Sequence, residues 1–338
     1  MIRRSTMQAL LTAAAAAVMA ALLLGAERMT GGALSALRLC AESVVPSLLP
    51  FFVLSSLIVR WGRGLMPDIK ALGPLGLPES MAAPLILGLV CGYPVGARAA
   101  AELYDSGGCT LSDLEASIGP CSNSGPAFIV SAVGLSMLGS ARLGWIMYAA
   151  HVLSAVFACL VVSCLFPPLK GGPCAVRPAP PVCMSPVSDM ADAVAGAASA
   201  VAGVCVCVVF FGGATALILP HLPDTAALRA ALCGFIEMTS GTAAAAAVSP
   251  SLCCAVVSWG GLSVHMQVAA SVAGRGAALY RCLIHKCAHS IAAFFVCAAL
   301  TGELPRAAVL SGLAAAYAAA LSVKKIRRRH WQTADREL

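Results

Sequence analysis

The chain has 338 residues, of which 59% are hydrophobic and only 11% are charged, against roughly 25% charged in an ordinary soluble domain. So few charges cannot coat a water-soluble body of this length, and lipid must cover much of it instead. The apolar runs are continuous rather than alternating, which excludes a transmembrane barrel. The expected fold is all-α: a polytopic membrane protein of about 8–10 transmembrane helices, in two weakly similar halves with broken or re-entrant helices. The net charge of +7 calls for no nucleic acid. Much of it sits in Lys324-Lys325-Ile326-Arg327-Arg328-Arg329, directly after an apolar run, where it anchors a helix at an anionic leaflet of the lipid bilayer.

A hydrocarbon core of about 30 Å needs about 20 apolar residues per helix. In chain order the apolar segments are 8–26, 43–59, 81–100, 125–140, 143–166, 193–219, 230–250, 252–272, 283–300 and 307–323. The first follows Arg3 and Arg4 as a signal peptide would. Leu24-Gly25-Ala26-Glu27 nevertheless puts leucine where cleavage wants a small residue, so the segment is read as a retained helix. The organisation that follows is an N-terminal helix (1–26), a first half (27–166), a proline-rich external linker (167–192), a second half (193–323) and a basic cytoplasmic tail (324–338). With both termini cytoplasmic, 16 of the 22 basic residues fall inside, Arg60 and Lys286 among them. Ten spans are preferred, and eight with two re-entrant pairs satisfy the same loop charges.

The halves echo one another. Phe51-Phe52 is matched by Phe210-Phe211, Gly92-Tyr93-Pro94-Val95-Gly96-Ala97 by Glu237-Met238-Thr239-Ser240-Gly241-Thr242, and Ser122-Asn123-Ser124-Gly125 by Ser258-Trp259-Gly260-Gly261. Duplicated halves with interrupted apolar segments are the pattern of many secondary transporters. An interruption frees backbone N–H or C=O groups that only protein, water or a solute can satisfy. Interruptions are expected where Pro46 and Pro50 bracket Ser47-Leu48-Leu49, where Gly92 and Gly96 flank Pro94, at Thr239-Ser240-Gly241, and at Gly260-Gly261. Asn123-Ser124-Gly125-Pro126 opens a helix whose N-terminus favours an anion.

These motifs, with Gly260-Gly261-Leu262-Ser263-Val264-His265-Met266-Gln267 and the acidic Glu237 ahead of Gly241, resemble the sporulation integral membrane protein family of YlbJ type, in the nucleoside-recognition or Gate domain group. The resemblance runs over roughly residues 40–290 and departs from the family pattern at Ser240 and Cys121. It implies two Gate-like halves, kinship with concentrative nucleoside transporters, a role in endospore formation, and movement of dipicolinic acid across the outer forespore membrane.

Intramembrane ionisable residues are costly enough to be functional candidates. Glu237 can bind a coupling proton or cation, or can instead sit at the cytoplasmic mouth near Arg229. His265 and Gln267 can hydrogen-bond a heteroaromatic solute or a neighbouring helix. Arg98 can grip a carboxylate or pair with Glu102 at i,i+4. Tyr93 can stack on a solute or pack. The 16 cysteines lie mostly in apolar segments, as small buried hydrophobes do. Cys282, His285 and His289 share a helical face but match no usual zinc spacing, so no metal and no cofactor are expected. Whether Cys174 and Cys183 pair is open. No His-Glu-x-x-His and no phosphate-binding glycine loop is present, and no catalysis is expected. The resulting expectation is a permease for a small organic anion, with the binding site formed by Tyr93, Pro94, Gly96, Arg98, Asn123, Ser124, Gly125, Glu237, Ser240, Gly241, Gly260, Gly261, Ser263, His265 and Gln267. A nucleoside-like solute, or a non-transporting membrane scaffold, is the alternative. A coupling proton or cation, and a homo-oligomer, stay open.

Overall fold

In lipid every backbone N–H and C=O must be satisfied within the protein, so long Ala-, Leu- and Val-rich stretches propagate as helices. The computed structural model describes residues 4–61, 70–166, 185–222 and 224–334, whose regular structure is all helical. Cys174, Cys183 and most of the proline-rich segment lie outside the described residues.

Helix α1 (Arg4–Leu24) turns at Gly25 into α2 (Ala26–Leu39), and a π-helical turn, Cys40–Val44, joins α2 to α3 (Val45–Trp61). Residues Ala26–Ile58 thus form one continuous apolar rod. The interruption expected at Pro46 and Pro50 does not occur. The π turn, in which the Val45 N–H donates to the Cys40 carbonyl, widens the helix ahead of the prolines. Ser47 Oγ donates to the Ser43 carbonyl at 2.6 Å.

Next comes a pair of short helices, α4 (Ala82–Cys91) and α5 (Val95–Asp105), joined by Gly92-Tyr93-Pro94 with a cis Tyr93–Pro94 peptide. A broken helix follows: α6 (Leu111–Cys121), a non-helical stretch at 122–125, and a π-helix (Ala127–Met137). The long helix α7 (Ala141–Leu165) completes the series. The same order then recurs: long α8 (Pro186–Ile218), the short pair α9 (Ala226–Ile236) and α10 (Met238–Ala246), a helix broken at Gly260 into α11 (Pro250–Trp259) and α12 (Gly261–Ser271), and long α13 (Tyr280–Thr301). Helix α14 (Arg306–Ala334) ends the described chain.

The short helices have 9 to 11 residues, roughly 14–17 Å, about half of the hydrocarbon thickness. Each pair is drawn together by facing glycines. A Cβ on Gly96 would lie 2.5 Å from Gly88 Cα, and one on Gly241 would collide with Gly234 Cα. Gly96 and Gly241 are therefore packing positions within helices, and the turns fall at Gly92–Pro94 and at Glu237.

Seven described helices are long and apolar enough to cross a membrane. The apolar windows 81–100 and 230–250 resolve into the two short pairs, and 125–140 into an 11-residue π-helix. Counting broken helix 111–137 as one more crossing, each pair returns to the side it left, and this changes the sidedness read from the charges. Arg60 Nη1 lies 2.8 Å from Asp189 and 2.9 Å from Asp192. Arg275 bonds Asp105, Arg281 lies over the Phe166 ring, and Arg327 donates to the Leu165 and Phe166 carbonyls. Phe166 and residues 185–192 therefore share one side with Arg60 and Arg327. Placing residues 185–192 of the linker opposite to Arg60 is corrected, because the ten-span count treats each returning pair as a crossing. Helix α8 also starts at Pro186 rather than 193, since proline suits the first helical position and Asp189 the first turn.

Candidate functional site

Both turns and both helix breaks meet at the centre of the bundle. At the first turn, Gly92 holds φ +81 and its Cα lies where a Cβ would meet Gly125 N at 2.8 Å. Only a residue without a side chain lets the turn reach the first break. Tyr93 crosses to the second break, its hydroxyl donating to the Val257 carbonyl at 3.2 Å. At the second turn, Glu237 accepts from Thr239 N–H at 2.9 Å and Ser240 N–H at 2.6 Å, capping α10. Gly261 packs on the backbone of Glu237 and Met238. Ser263 Oγ lies 3.5 Å from Glu237 Oε1, and Ser124 Oγ lies 3.8 Å from Met238 Sδ.

These elements enclose a cavity of about 40 Å³ bordered by Gly92, Tyr93, Ser124, Gly125, Thr239 and Gln267, among others. Small-molecule sites run to roughly 300–1,000 Å³, so this conformation is closed. A larger cavity of about 260 Å³ is lined by Arg60, Pro94, Arg98, Glu102, Asp189 and Asp192. Phe52 lines both cavities.

The structure thus brings Tyr93, Ser124, Gly125 and Gln267 to the central cavity, with Glu237, Gly260, Gly261 and Ser263 in the shell around it. Asn123 is fully buried in the first break, its Nδ2 donating to the Pro120 carbonyl at 2.6 Å while Oδ1 has no partner. Two residues depart from expectation. Arg98 is not in this shell: its side chain is 72% exposed, pairs with Glu102 at 3.8 Å, and lines the larger cavity, as the i,i+4 alternative has it. His265 turns away from Gln267, as residues two apart on a helix do, and its ring packs edge-on against Trp259 with Nε2 unpartnered. Glu237 is buried, as its reading as an intramembrane acid has it, and not beside Arg229, which pairs with Asp224.

Behind Tyr93 and the first break lies a second polar cluster, of which the residue patterns mark His285 and His289 as sharing a helical face but not Lys286 or His151. Lys286 of α13 is 1% exposed. Its ammonium donates to the Ser122 carbonyl at 2.6 Å, lies 3.2 Å from His289 Nδ1, and stands 5.5 Å over the Tyr93 ring. His289 Nε2 meets the His151 carbonyl at 2.9 Å. His151 accepts from Ser124 N–H through Nε2 and contacts Ser258 Oγ at 2.8 Å through Nδ1. His285 Nε2 faces Cys159 Sγ at 3.4 Å. Lys286 therefore does not belong with the loop cations. Its signal was present, a lone lysine inside segment 283–300 flanked by histidines three residues on and one before, but the neighbouring basic loop masked it. Among the described residues no group of three or more His, Cys, Asp or Glu side chains is arranged to hold a metal ion.

Part of the chain is similar to the sporulation integral membrane protein YlbJ of Bacillus subtilis (strain 168), with 31% identity over 116 residues, 33% of this chain and 28% of the relative. The chain thus matches less than a third of the relative's length. This modest homology supports the resemblance to a sporulation membrane protein family, and the apolar helices make the chain an integral membrane protein. No family model and no solved structure matches it.

Proposed function

We propose that this integral membrane protein is a permease for a small organic anion, with dipicolinate the first candidate substrate and a nucleoside-like solute the alternative. The observation that carries this reading is the meeting of two helix turns and two helix breaks, one of each from either half, around one buried cavity. Broken backbone at membrane depth is tolerated where it lines a solute path, and such duplicated breaks are how secondary transporters build midplane sites. The N-terminal end of the π-helix at Pro126 and the unpartnered Asn123 Oδ1 supply polar groups in an otherwise apolar interior. Phe52, shared by the closed cavity and the larger one, is the side chain that has to move for a solute to pass between them.

The excess of basic residues on the side of Arg60, Arg275 and Arg327 supports our reading that this side, and both termini, face the cytoplasm. We infer a role in endospore formation, at the outer forespore membrane, from the motifs that resemble the family; the relative's name, a sporulation integral membrane protein, supports the first of these. No catalytic step is involved, and the partners are the anion, the lipid bilayer and a coupling ion. The test is uptake of labelled dipicolinate by the reconstituted protein, with uridine in parallel. Saturable dipicolinate uptake, lowered about tenfold or more in Glu237→Gln, is expected, a loss equivalent to roughly 1.4 kcal/mol. No uptake of either solute by folded protein would reject the permease in favour of a membrane scaffold.

A further inference from the structure

We infer that Lys286 is the coupling group of the transport cycle: a built-in, titratable ammonium standing at a broken-helix carbonyl where other transporters place a free metal cation, so that protons rather than sodium drive the protein. This inference rests on the transport reading. In transporters with broken helices, unwound carbonyls and the C-terminal ends of half-helices coordinate the coupling ion. The Ser122 carbonyl is such a group. It follows the last residue of α6, where the helix dipole is negative, and its partner is the Lys286 ammonium at 2.6 Å.

The surroundings of that ammonium favour a proton carrier over a fixed structural charge. Among the described residues no carboxylate is paired with Lys286. A buried ion pair would hold the charge permanently, whereas one carbonyl and one aromatic face can let a proton go. The titratable groups around it are Cys282, His285 and His289 from α13, His151 and Cys159 from α7, His265 from α12, and Tyr93 from the first turn. Glu237, the acid of the central site, is occupied by the N–H groups of α10.

The histidines have the arrangement a relay needs. His289 Nε2 donates to the His151 carbonyl, which leaves Nδ1 as an acceptor aimed at Lys286. Proton release is then a transfer in which Nζ–H breaks as Nδ1–H forms on His289, leaving a neutral amine and an imidazolium. Water on the opened side takes the proton from the imidazolium. The loss of charge turns a charge-assisted hydrogen bond into a neutral one and so loosens the Ser122 carbonyl, which lies next to Asn123 and Ser124 of the first break. Ser124 N–H in turn is held by His151. The protonation of Lys286 is thereby tied to the backbone that borders the solute cavity.

The experiment uses the full chain in proteoliposomes, with dipicolinate flux measured under an imposed proton gradient and, separately, an imposed sodium gradient. For the wild type, stimulation by the proton gradient and none by sodium is expected. Lys286→Gln should lose that stimulation while retaining solute exchange without a gradient. Lys286→Arg, which keeps the charge and so guards against a folding defect, should lose it too. Proton stimulation that survives in both variants, or flux driven by sodium, would overturn the proposal. If the wild type moves no solute, the permease reading fails by itself. The lysine is then decided by nitrogen NMR of the labelled protein in nanodiscs: a resonance absent from Lys286→Gln that changes protonation across the physiological range supports the inference, and one that never changes refutes it.

Discussion

Gly241 has no side chain because Gly234 stands where its Cβ would go, and that close approach lets two short helices lie side by side. Gly203 of α8, by contrast, has nothing within 4 Å of its would-be Cβ. Overpacking a tight contact costs about 1–3 kcal/mol. Gly241→Ala should therefore lower the melting temperature of the detergent-purified protein, while Gly203→Ala leaves it unchanged or raised. Equal melting temperatures for the two variants would show that the helix pair is not held as described. From the residue pattern, Gly96 and Gly241 read as breaks. A glycine that opens a helix and a glycine that lets another helix approach look the same until the neighbour is known.

At the scale of elements, α3 and α8 are joined where Arg60 reaches Asp189 and Asp192, and where Trp61 Nε1 donates to Asp189 at 2.9 Å. Asp189 is the buried member, its side chain 8% exposed, while that of Asp192 is 60% exposed. Arg60→Ala leaves the Asp189 carboxylate with the indole alone, and stranding a buried acceptor costs about 1–3 kcal/mol. Asp192→Ala removes only a solvent-screened contact worth at most about 1 kcal/mol. Thermal unfolding should rank Arg60→Ala clearly below Asp192→Ala, and the reverse order would refute this account of the junction. Helix α2 shows why such elements evade a hydropathy reading. Glu27, Arg28 and Arg38 lower its apolarity, yet Gly32 and Ala36 pack closely on Gly212 of α8, so the helix is placed by small residues rather than by apolar ones.

Across the whole molecule, the turn after α12 is tied to the end of α5 by Arg275 and Asp105, at 2.8 Å between Nε and Oδ1. The hydrogen bond from the Arg275 guanidinium holds the Asp105 carboxyl below the usual carboxylate range. A depressed carboxylate contributes stability that is present above its unfolded value and is lost as the pH falls through the folded one. The wild type should therefore melt above Asp105→Asn at neutral pH, and this margin should vanish on acidification and shrink in high salt, since the pair is exposed. A margin that widens in acid would reject the assignment. The returning helix pairs belong to this scale as well: they decide which loops share a side, and no local charge count can see them.

The amino-acid sequence by itself determined the class of this protein, because charge and hydropathy are sums over residues and need no partner. It also marked Gly92–Pro94, Asn123–Pro126, Glu237 and Gly260–Gly261 as special, since glycine, proline and lone acids interrupt a run of apolar residues wherever they fall. Tertiary structure alone decided which of those interruptions turn the chain back and which merely break a helix, and it moved Arg98 from the centre to the larger cavity. It also turned Lys286 from a loop cation into a buried ammonium. The physical reason is that the groups satisfying Lys286 lie far away along the chain: Ser122 is 164 residues distant, and only the packing of α13 against α6 and α7 brings the carbonyl and the histidines to it.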